Sequence, residues 1–253
     1  TAPMEVAIVG DVAWDTVRPM LEKLFGSLPT RAPDARHLAP LRKNSRGPGP
    51  LTRRVEVRTL TPSAMAYVGF AGAMGRNVDD TRHLRVAADI ISRRLVQRLR
   101  EELGLVYGIS AVSTPGYVYE DAGRFYVGAR CRPDTVDQVV AEIEQIFETF
   151  AADGPSDDEV DATRRRLLNS LETTMREPFH WMELLQYHDL HGRSLDDAAT
   201  AADAYKAVTA GQVRDTFRKY CVPQRSFRVV SVPSEAATTA PADTPASVPA
   251  AHH

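Results

Sequence analysis

The stretch "LREELGLVYGISA", residues 99–111, joins the end of a predicted helix to the start of a predicted strand. Gly104 stops the charged helical run, because a glycine just past a helix readily adopts the left-handed conformation that closes it. Arg100 therefore lies in the last helical turn, and Tyr107 lies at the start of the strand. Since the chain reverses between them, we expect both side chains to project into one open cleft beside the helix end.

Arg100 and Tyr107 together are able to bind the backbone of an extended peptide. A guanidinium offers a fork of donors and a phenol adds one more, so the pair can donate to peptide carbonyls or to a developing oxyanion. Structural roles are also open to both, because arginine complements a helix C-terminus and tyrosine is common in strands. On local physics alone the structural roles are favoured.

The elements around this stretch predict an α+β domain with a mixed, largely antiparallel sheet and helices packed on one face. The second strand is the most apolar, which places it at the sheet centre. The predicted elements are strands over 52–60 and 63–73, a helix over 77–104, a hairpin over 105–131, helices from 134 to about 220, and a strand over 225–232.

Capping residues and an apolar stripe support the helix predictions. Asp79 or Asp80 lies near the N-cap of the long helix. Gly154 follows the next helix, and Ser156 with Glu159 forms a capping box for the one after it. The apolar stripe of the long helix consists of Leu84, Ala88, Ile91, Leu95 and Leu99.

The composition divides the chain into four parts. They are a strand–helix remnant of a preceding domain at 1–29, a linker at 30–51, the main domain at 52–232 and a disordered tail at 233–253. The remnant contains the apolar run "MEVAIVGDV", predicted as a buried strand, and a helix that Asp11 is expected to cap. The linker is rich in Pro, Arg and Gly. The tail of Ala, Pro and Thr buries too little surface to order itself.

A formal net charge of −2 over 253 residues predicts no partner among nucleic acids or membrane surfaces. No apolar run is long enough to cross a bilayer, and the N-terminus lacks the features of a signal peptide, so a cytoplasmic protein is expected. Cys131 and Cys221 are predicted to be buried thiols rather than a disulfide or zinc site. Abundant arginine and alanine are typical of a high-GC bacterial genome.

Two segments contain histidines at spacings that suit a metal. His188 and His191 would share one helical face, but no third ligand is identifiable nearby, so a capping or solvent-facing role is favoured. His180 and Glu183 have H-x-x-E spacing, but Leu184 stands where a second histidine is needed, so a zinc site is rejected. The chain also lacks G-x-S-x-G and phosphate-binding motifs. We expect no metal in this chain.

The segment at 99–111 resembles the Arg/Tyr segment of the pitrilysin family, the inverted zincins, which include insulin-degrading enzyme and the mitochondrial processing peptidases. The family segment reads close to Leu-Arg-x-x-x-Gly-Leu-x-Tyr. The matching residues are Leu99, Arg100, Gly104, Leu105 and Tyr107. Residues 1–29 look like the end of the first α/β domain of the family, and residues 52 to about 232 look like its second domain.

The resemblance implies one half of a two-part peptidase. In the family, one half carries H-x-x-E-H plus a distal glutamate on zinc. The other half carries the Arg/Tyr pair, which binds the peptide substrate and supports the tetrahedral intermediate. Carried over, Arg100 and Tyr107 take this second role. Because H-x-x-E-H is absent from this sequence, zinc is expected in a catalytic partner half, and this chain alone is not expected to cleave peptides.

Two explanations of the missing motif remain open. Either the chain is the zinc-free subunit of a heterodimer, or it is part of a longer chain whose zinc motif lies upstream. The intact pair of Arg100 and Tyr107 favours the first. The leading alternative function is a non-catalytic structural or assembly subunit of the same fold, and a third is a solitary peptide-binding domain.

Overall fold

The computed structural model describes residues 4, 6–29, 40–43, 50–59, 62–191 and 194–234. The strands are β1 (Leu51–Val57), β2 (Ala64–Ala71), β3 (Val106–Thr114), β4 (Arg124–Cys131) and β5 (Ser226–Pro233). The helices are α1 (Trp14–Phe25), α2 (Val78–Leu95), α3 (Val136–Asp153), α4 (Asp157–Thr174), α5 (Pro178–Gln186), α6 (His188–His191), α7 (Leu195–Ala199), α8 (Ala201–Lys206) and α9 (Ala210–Tyr220). A π-helical turn (Val96–Glu102) continues α2.

The strands form one mixed sheet in the order β1-β5-β2-β4-β3. Strand β2 pairs antiparallel with β4 and β5, β3 pairs antiparallel with β4, and β1 lies parallel to β5. The predicted α+β class, with its largely antiparallel sheet, is therefore confirmed. The prediction that the second strand is central is also correct, because β2 has a strand on each side.

The core lies between the sheet and α2, α3 and α9. The predicted stripe of α2 is buried in it, each of its residues being at most 3% exposed. An aromatic cluster fills the space beside this stripe. Phe70 of β2 stacks on Phe125 of β4 with ring centroids 4.9 Å apart, and Phe217 of α9 meets both rings edge-on at 5.2 and 5.3 Å. Large aromatic side chains of this kind contribute much of the hydrophobic stabilisation of a domain.

Helix α2 lies along the outermost strand β3 and covers part of its free edge. The Ser92 hydroxyl accepts a hydrogen bond from the Ala111 amide at 2.9 Å and lies 3.3 Å from the Ala111 carbonyl. The Ala111 amide, which a further strand would otherwise use, is thus bonded to the helix, while the hydroxyl proton of Ser92 has its nearer acceptor in the Ala88 carbonyl at 2.7 Å. The contact also fixes α2 and β3 side by side, so that the end of α2 and the start of β3 lie at the same end of the domain.

The helix boundaries agree with most of the predicted caps. Ser156 and Glu159 form the predicted capping box at the start of α4, with bonds of 3.2 and 2.8 Å. Gly154 closes α3 in the left-handed region, with φ of 78°. The N-cap of α2 is Asn77, and Asp79 and Asp80 lie in its first turn, where carboxylates stabilise the helix dipole.

The predicted strand at the N-terminus is wrong. Residues 6–9 pair with no strand among the described residues, and Met4, Val6 and Ile8 are 44–46% exposed. A strand needs a neighbour for its amides and carbonyls, and the described sheet provides none for this segment. Helix α1 forms as predicted, but it begins after Ala13, whose methyl side chain cannot cap it. Asp11 lies two residues too early to serve as its cap.

Two predicted boundaries shift by one or two residues. Strand β1 begins at Leu51, inside the predicted linker, and β5 runs through Pro233, inside the predicted tail. The Ser234 amide donates to the Val57 carbonyl at 2.9 Å. This bond follows directly on the parallel pairing of β1 with β5, which extends to Val57 and Pro233. The rest of the tail, and linker residues 30–39 and 44–49, lie outside the described residues. None of the described helices combines the length and apolar composition of a membrane span.

Candidate functional site

The helix that carries Arg100 changes character before it ends. From Val96 to Glu102 the backbone is π-helical. The Leu103 amide donates to the Arg98 carbonyl at 3.1 Å, five residues back, and the Leu105 amide donates to the Leu99 carbonyl at 2.8 Å. Gly104 then adopts the left-handed conformation with φ of 61°, as predicted. The π-helical turn was not predicted, and such turns are often found at functional sites.

The strand that follows begins with a β-bulge at Tyr107. Val106 lies opposite Cys131 and Ile109 lies opposite Ala129, so Tyr107 and Gly108 together oppose one residue of β4. The extra residue allows Val106 and Ile109 to be buried in the same core, whereas a regular strand would place them on opposite faces. Tyr107 is directed away from that core and is 89% exposed. Bulges beside functional sites commonly redirect a side chain in this way.

Arg100 is also exposed, and it differs from the other arginines near the end of α2. Arg94 binds Glu159 and Arg98 binds Glu142 through two bonds each. Within the described ranges, no hydrogen bond or ion pair engages the side chain of Arg100 or of Tyr107. An internal salt bridge is therefore not the role of Arg100. That the two side chains share one cleft stays a prediction.

Arg98 and Glu142 are the neighbouring residues that sequence reasoning missed. Glu142 lies in α3, more than forty positions along the chain, and only the packing of α3 against α2 brings it to Arg98. The sequence signal for Arg98 was limited to Glu102 four residues later, a spacing that allows a helical ion pair. That pair is present, with Nη1 of Arg98 3.1 Å from Oε2 of Glu102.

The two histidine segments do not assemble a zinc ligand set in the described part of the chain, where no three His, Cys, Asp or Glu residues converge. The His191 ring is stacked against Tyr117 and Tyr187, with centroids 4.0 and 5.2 Å apart and planes within 15°. The His180 ring meets the Trp181 ring at 5.7 Å. The histidines of these two segments therefore do not form a zinc site in the described part of the chain.

Neither cysteine has the surroundings of a catalytic nucleophile. Cys131 is buried as predicted, whereas Cys221 is only half-buried, so the prediction of two buried thiols is wrong for Cys221; both thiols are free. Burial raises the pKa of the Cys131 thiol, and burial together with the charge of Glu148 raises the pKa of Cys221 to about 12. Both thiols therefore stay protonated near neutral pH, and the thiolate is the reactive form.

The fold and these residues define an α+β domain, and no cluster of metal ligands forms among the residues that the structure describes. The family model described as "Peptidase M16 inactive domain" matches residues 2–167, and the chain therefore belongs to the peptidase M16 family. The resemblance to the pitrilysin family is confirmed by this match.

Relatives and solved structures agree with the assignment. An "Uncharacterized zinc protease" of Rickettsia bellii is 23% identical over 229 residues, which cover 89% of this chain and 46% of that protein. The chain thus spans about half the length of this curated relative. A peptidase M16 inactive domain from Pseudomonas fluorescens matches with a TM-score of 0.73 and 17% identity, over 89% of this chain and 52% of that one. A protease from Helicobacter pylori matches with a TM-score of 0.76 and 15% identity, over 89% and 54%.

Proposed function

We propose that this domain is the substrate-binding, zinc-free half of a zinc-dependent endopeptidase. Arg100 and Tyr107 bind the backbone of an extended peptide, while a half that bears H-x-x-E-H holds the zinc. The observation that carries the proposal is the pair itself, since both side chains are exposed and have no partner in the described part of the chain.

The chemistry of the two side chains suits acyl transfer. The Arg100 guanidinium is a permanent cation with several N–H donors, and the Tyr107 hydroxyl is a neutral donor. Donors that point at a carbonyl oxygen are most valuable when that oxygen acquires charge in the tetrahedral intermediate. Exposure in the isolated domain is compatible with this role, because closure of a second half would exclude water and strengthen both bonds.

The comparisons support the proposal without extending to a substrate. The matched model describes an inactive domain, which agrees with a half that does not hold the catalytic metal. The Rickettsia relative is named a zinc protease. The half with the zinc motif is either a separate partner or another segment of the same protein.

A structural or assembly subunit of the same fold is the competing function. Such a subunit would make no use of an exposed guanidinium and phenol on either side of Gly104, so the intact pair disfavours it. Co-purification separates the two views further, because only the proposal requires a zinc-bearing peptidase half as partner. The proposal expects no stoichiometric zinc in the isolated chain, and zinc in the complex only after the second half is added.

The decisive experiment reconstitutes the chain with the M16 half that bears H-x-x-E-H and measures cleavage of a library of internally quenched peptides. Cleavage that needs both halves supports the proposal. Arg100→Ala and Tyr107→Phe should abolish most of it, whereas the exposed residues Arg85 and Tyr119 provide matched controls as Arg85→Ala and Tyr119→Phe. Full activity in both Arg100→Ala and Tyr107→Phe would contradict the proposal.

A further inference from the structure

The π-helical form of the last turn of α2 determines the direction of the Arg100 side chain. A π-helical turn accommodates one residue more than the α-helical pattern allows. Successive residues of a helix are rotated by about 100°, so an extra residue redirects the side chains that follow it. Arg100 lies within this turn, and its orientation therefore depends on the turn keeping its π-helical form.

Side-chain bonds of Arg98 attach this turn to its surroundings. The guanidinium donates from Nε to Oε2 of Glu142 at 2.9 Å and from Nη2 to Oε1 of Glu142 at 3.2 Å. Its Nη1 donates to Oε2 of Glu102 at 3.1 Å. Gln97 donates to the other carboxylate oxygen of Glu102 at 3.3 Å. The start of the turn, its last residue and the neighbouring helix α3 are thus joined in one network.

Backbone bonds and burial hold the same turn from the other side. The Arg98 carbonyl accepts from the Leu103 amide, the Leu99 carbonyl accepts from the Leu105 amide, and the Leu99 side chain is fully buried. Arg98 is therefore bonded through both its side chain and its carbonyl. Arg100 lies between these bonded residues along the chain, and its own side chain is exposed. A binding group held on a fixed frame is the arrangement that pre-organised sites require.

We propose that Arg98 is a positioning residue, which acts through Glu142 and Glu102 to maintain the π-helical turn and so directs Arg100 toward the substrate that Tyr107 also binds. This inference rests on the proposed function, because it assigns Arg98 a part in the same site. An arginine is needed, since a guanidinium binds a carboxylate with two parallel bonds whereas a lysine ammonium acts as a point charge.

Removal of these ion pairs should leave the domain folded. The side chain of Arg98 is 45% exposed and that of Glu142 is 22% exposed, and ion pairs near the surface contribute little to global stability. Arg98→Gln and Glu142→Gln should therefore keep the thermal midpoint of unfolding of the wild type. Any effect on the site then reports on the turn rather than on the fold.

The first test measures hydrogen exchange in the full chain, without any partner. In Arg98→Gln and in Glu142→Gln, the amides of Leu103 and Leu105 should exchange about tenfold faster or more, because the turn opens more often. Amides of β2 should be unchanged. Arg176→Gln, which removes an exposed ion pair with Glu172, is the control and should alter neither. Unchanged exchange at Leu103 and Leu105 would overturn the inference.

The second test is a double-mutant cycle in the reconstituted peptidase. Arg98→Gln should lower kcat/KM roughly tenfold or more, since small displacements of a binding group are costly. Arg98→Lys should recover only part of this loss. In the Arg100→Ala background, Arg98→Gln should change kcat/KM by less than about twofold, because the group that it positions is gone. An equal loss in both backgrounds would overturn the inference.

The outcomes separate this inference from the function on which it rests. If Arg100→Ala and Tyr107→Phe both keep full turnover, the proposed function is wrong and the positioning role fails with it. If Arg100→Ala is impaired while Arg98→Gln cleaves at the wild-type rate, the positioning role alone is wrong.

Discussion

The hydroxyl of Ser92 in α2 contacts both backbone groups of Ala111 in β3, at 2.9 Å from the amide and 3.3 Å from the carbonyl. One side chain thus replaces a neighbouring strand at this point of the sheet edge. Ser92 lies in α2, whose π-helical continuation carries Arg100, and Ala111 lies in β3, which also carries Tyr107. The contact therefore holds the two elements of the candidate site side by side.

Ser92→Ala should lower the free energy of unfolding by about 1–3 kcal/mol, because it leaves the amide of the nearly buried Ala111 without its partner. Chemical denaturation measures this change. Ser110→Ala, at an exposed position of the same strand, is the control and should have little effect. A loss of equal size in both variants would show that the Ser92 contact is not the cause.

The stability of the domain should depend on the ionisation of Glu159 below about pH 4.5. Hydrogen bonds from Arg94, at 2.8 and 2.7 Å, outweigh burial and lower the pKa of Glu159 from its ordinary value of 4.5. A lowered folded-state pKa means that the stabilisation is complete well above pH 4.5 and is lost as the pH falls through the folded-state value.

Glu159→Gln should therefore lower the free energy of unfolding by about 1 kcal/mol at neutral pH and much less at low pH. Urea denaturation between about pH 3 and pH 7 measures the difference. Arg94→Gln should reproduce the same pH dependence, since it removes the other partner. A difference from wild type that stays constant over this range would exclude ionisation of Glu159 as the origin.

Gly104 should resist substitution for conformational reasons alone. Its φ of 61° is unfavourable for residues with a Cβ, yet an added Cβ would have no atom within 4 Å. Gly104→Ala should therefore cost about 1 kcal/mol of unfolding free energy, and Gly104→Asn should cost less. Gly211→Ala in α9, where space is also open, should instead be stabilising. Thermal unfolding of the three variants provides the comparison.

Arg100→Ala and Tyr107→Phe should have different kinetic effects in the reconstituted peptidase. Tyr107→Phe removes only a hydroxyl, so we expect kcat to fall on the order of a hundredfold with little change in KM. Arg100→Ala should lower kcat and also weaken peptide binding, because a guanidinium contacts the ground state as well. Circular dichroism should show both variants folded, since both positions are exposed. Loss of activity through unfolding would contradict this interpretation.

Much of the fold was predictable because its signals are local. The stripe of α2 repeats with the period of a helix, Ser156 and Glu159 form a capping box over four residues, and Gly104 stops a helix by its own conformational freedom. The centre of the sheet was also recognisable, because β2 is strongly apolar. Each of these features depends on residues close together in the chain.

The N-terminal strand shows the limit of such reasoning. "MEVAIVGDV" has the apolar composition of a buried strand, but a strand is completed only by hydrogen bonds to a neighbour. The pairing of β1 with β5 was likewise not predictable, since their partnership spans most of the domain.

By itself, the sequence determined the type of domain and the two residues, Arg100 and Tyr107, that form the candidate site. Only the tertiary structure decided the backbone conformation around Arg100 and the exposure of the Tyr107 side chain. The π-helical turn is bonded through Arg98 to Glu142 in another helix, and the exposed Tyr107 lies at a bulge against β4. Both arise from contacts between distant segments, whose energies are set by packing in three dimensions rather than by local sequence preference.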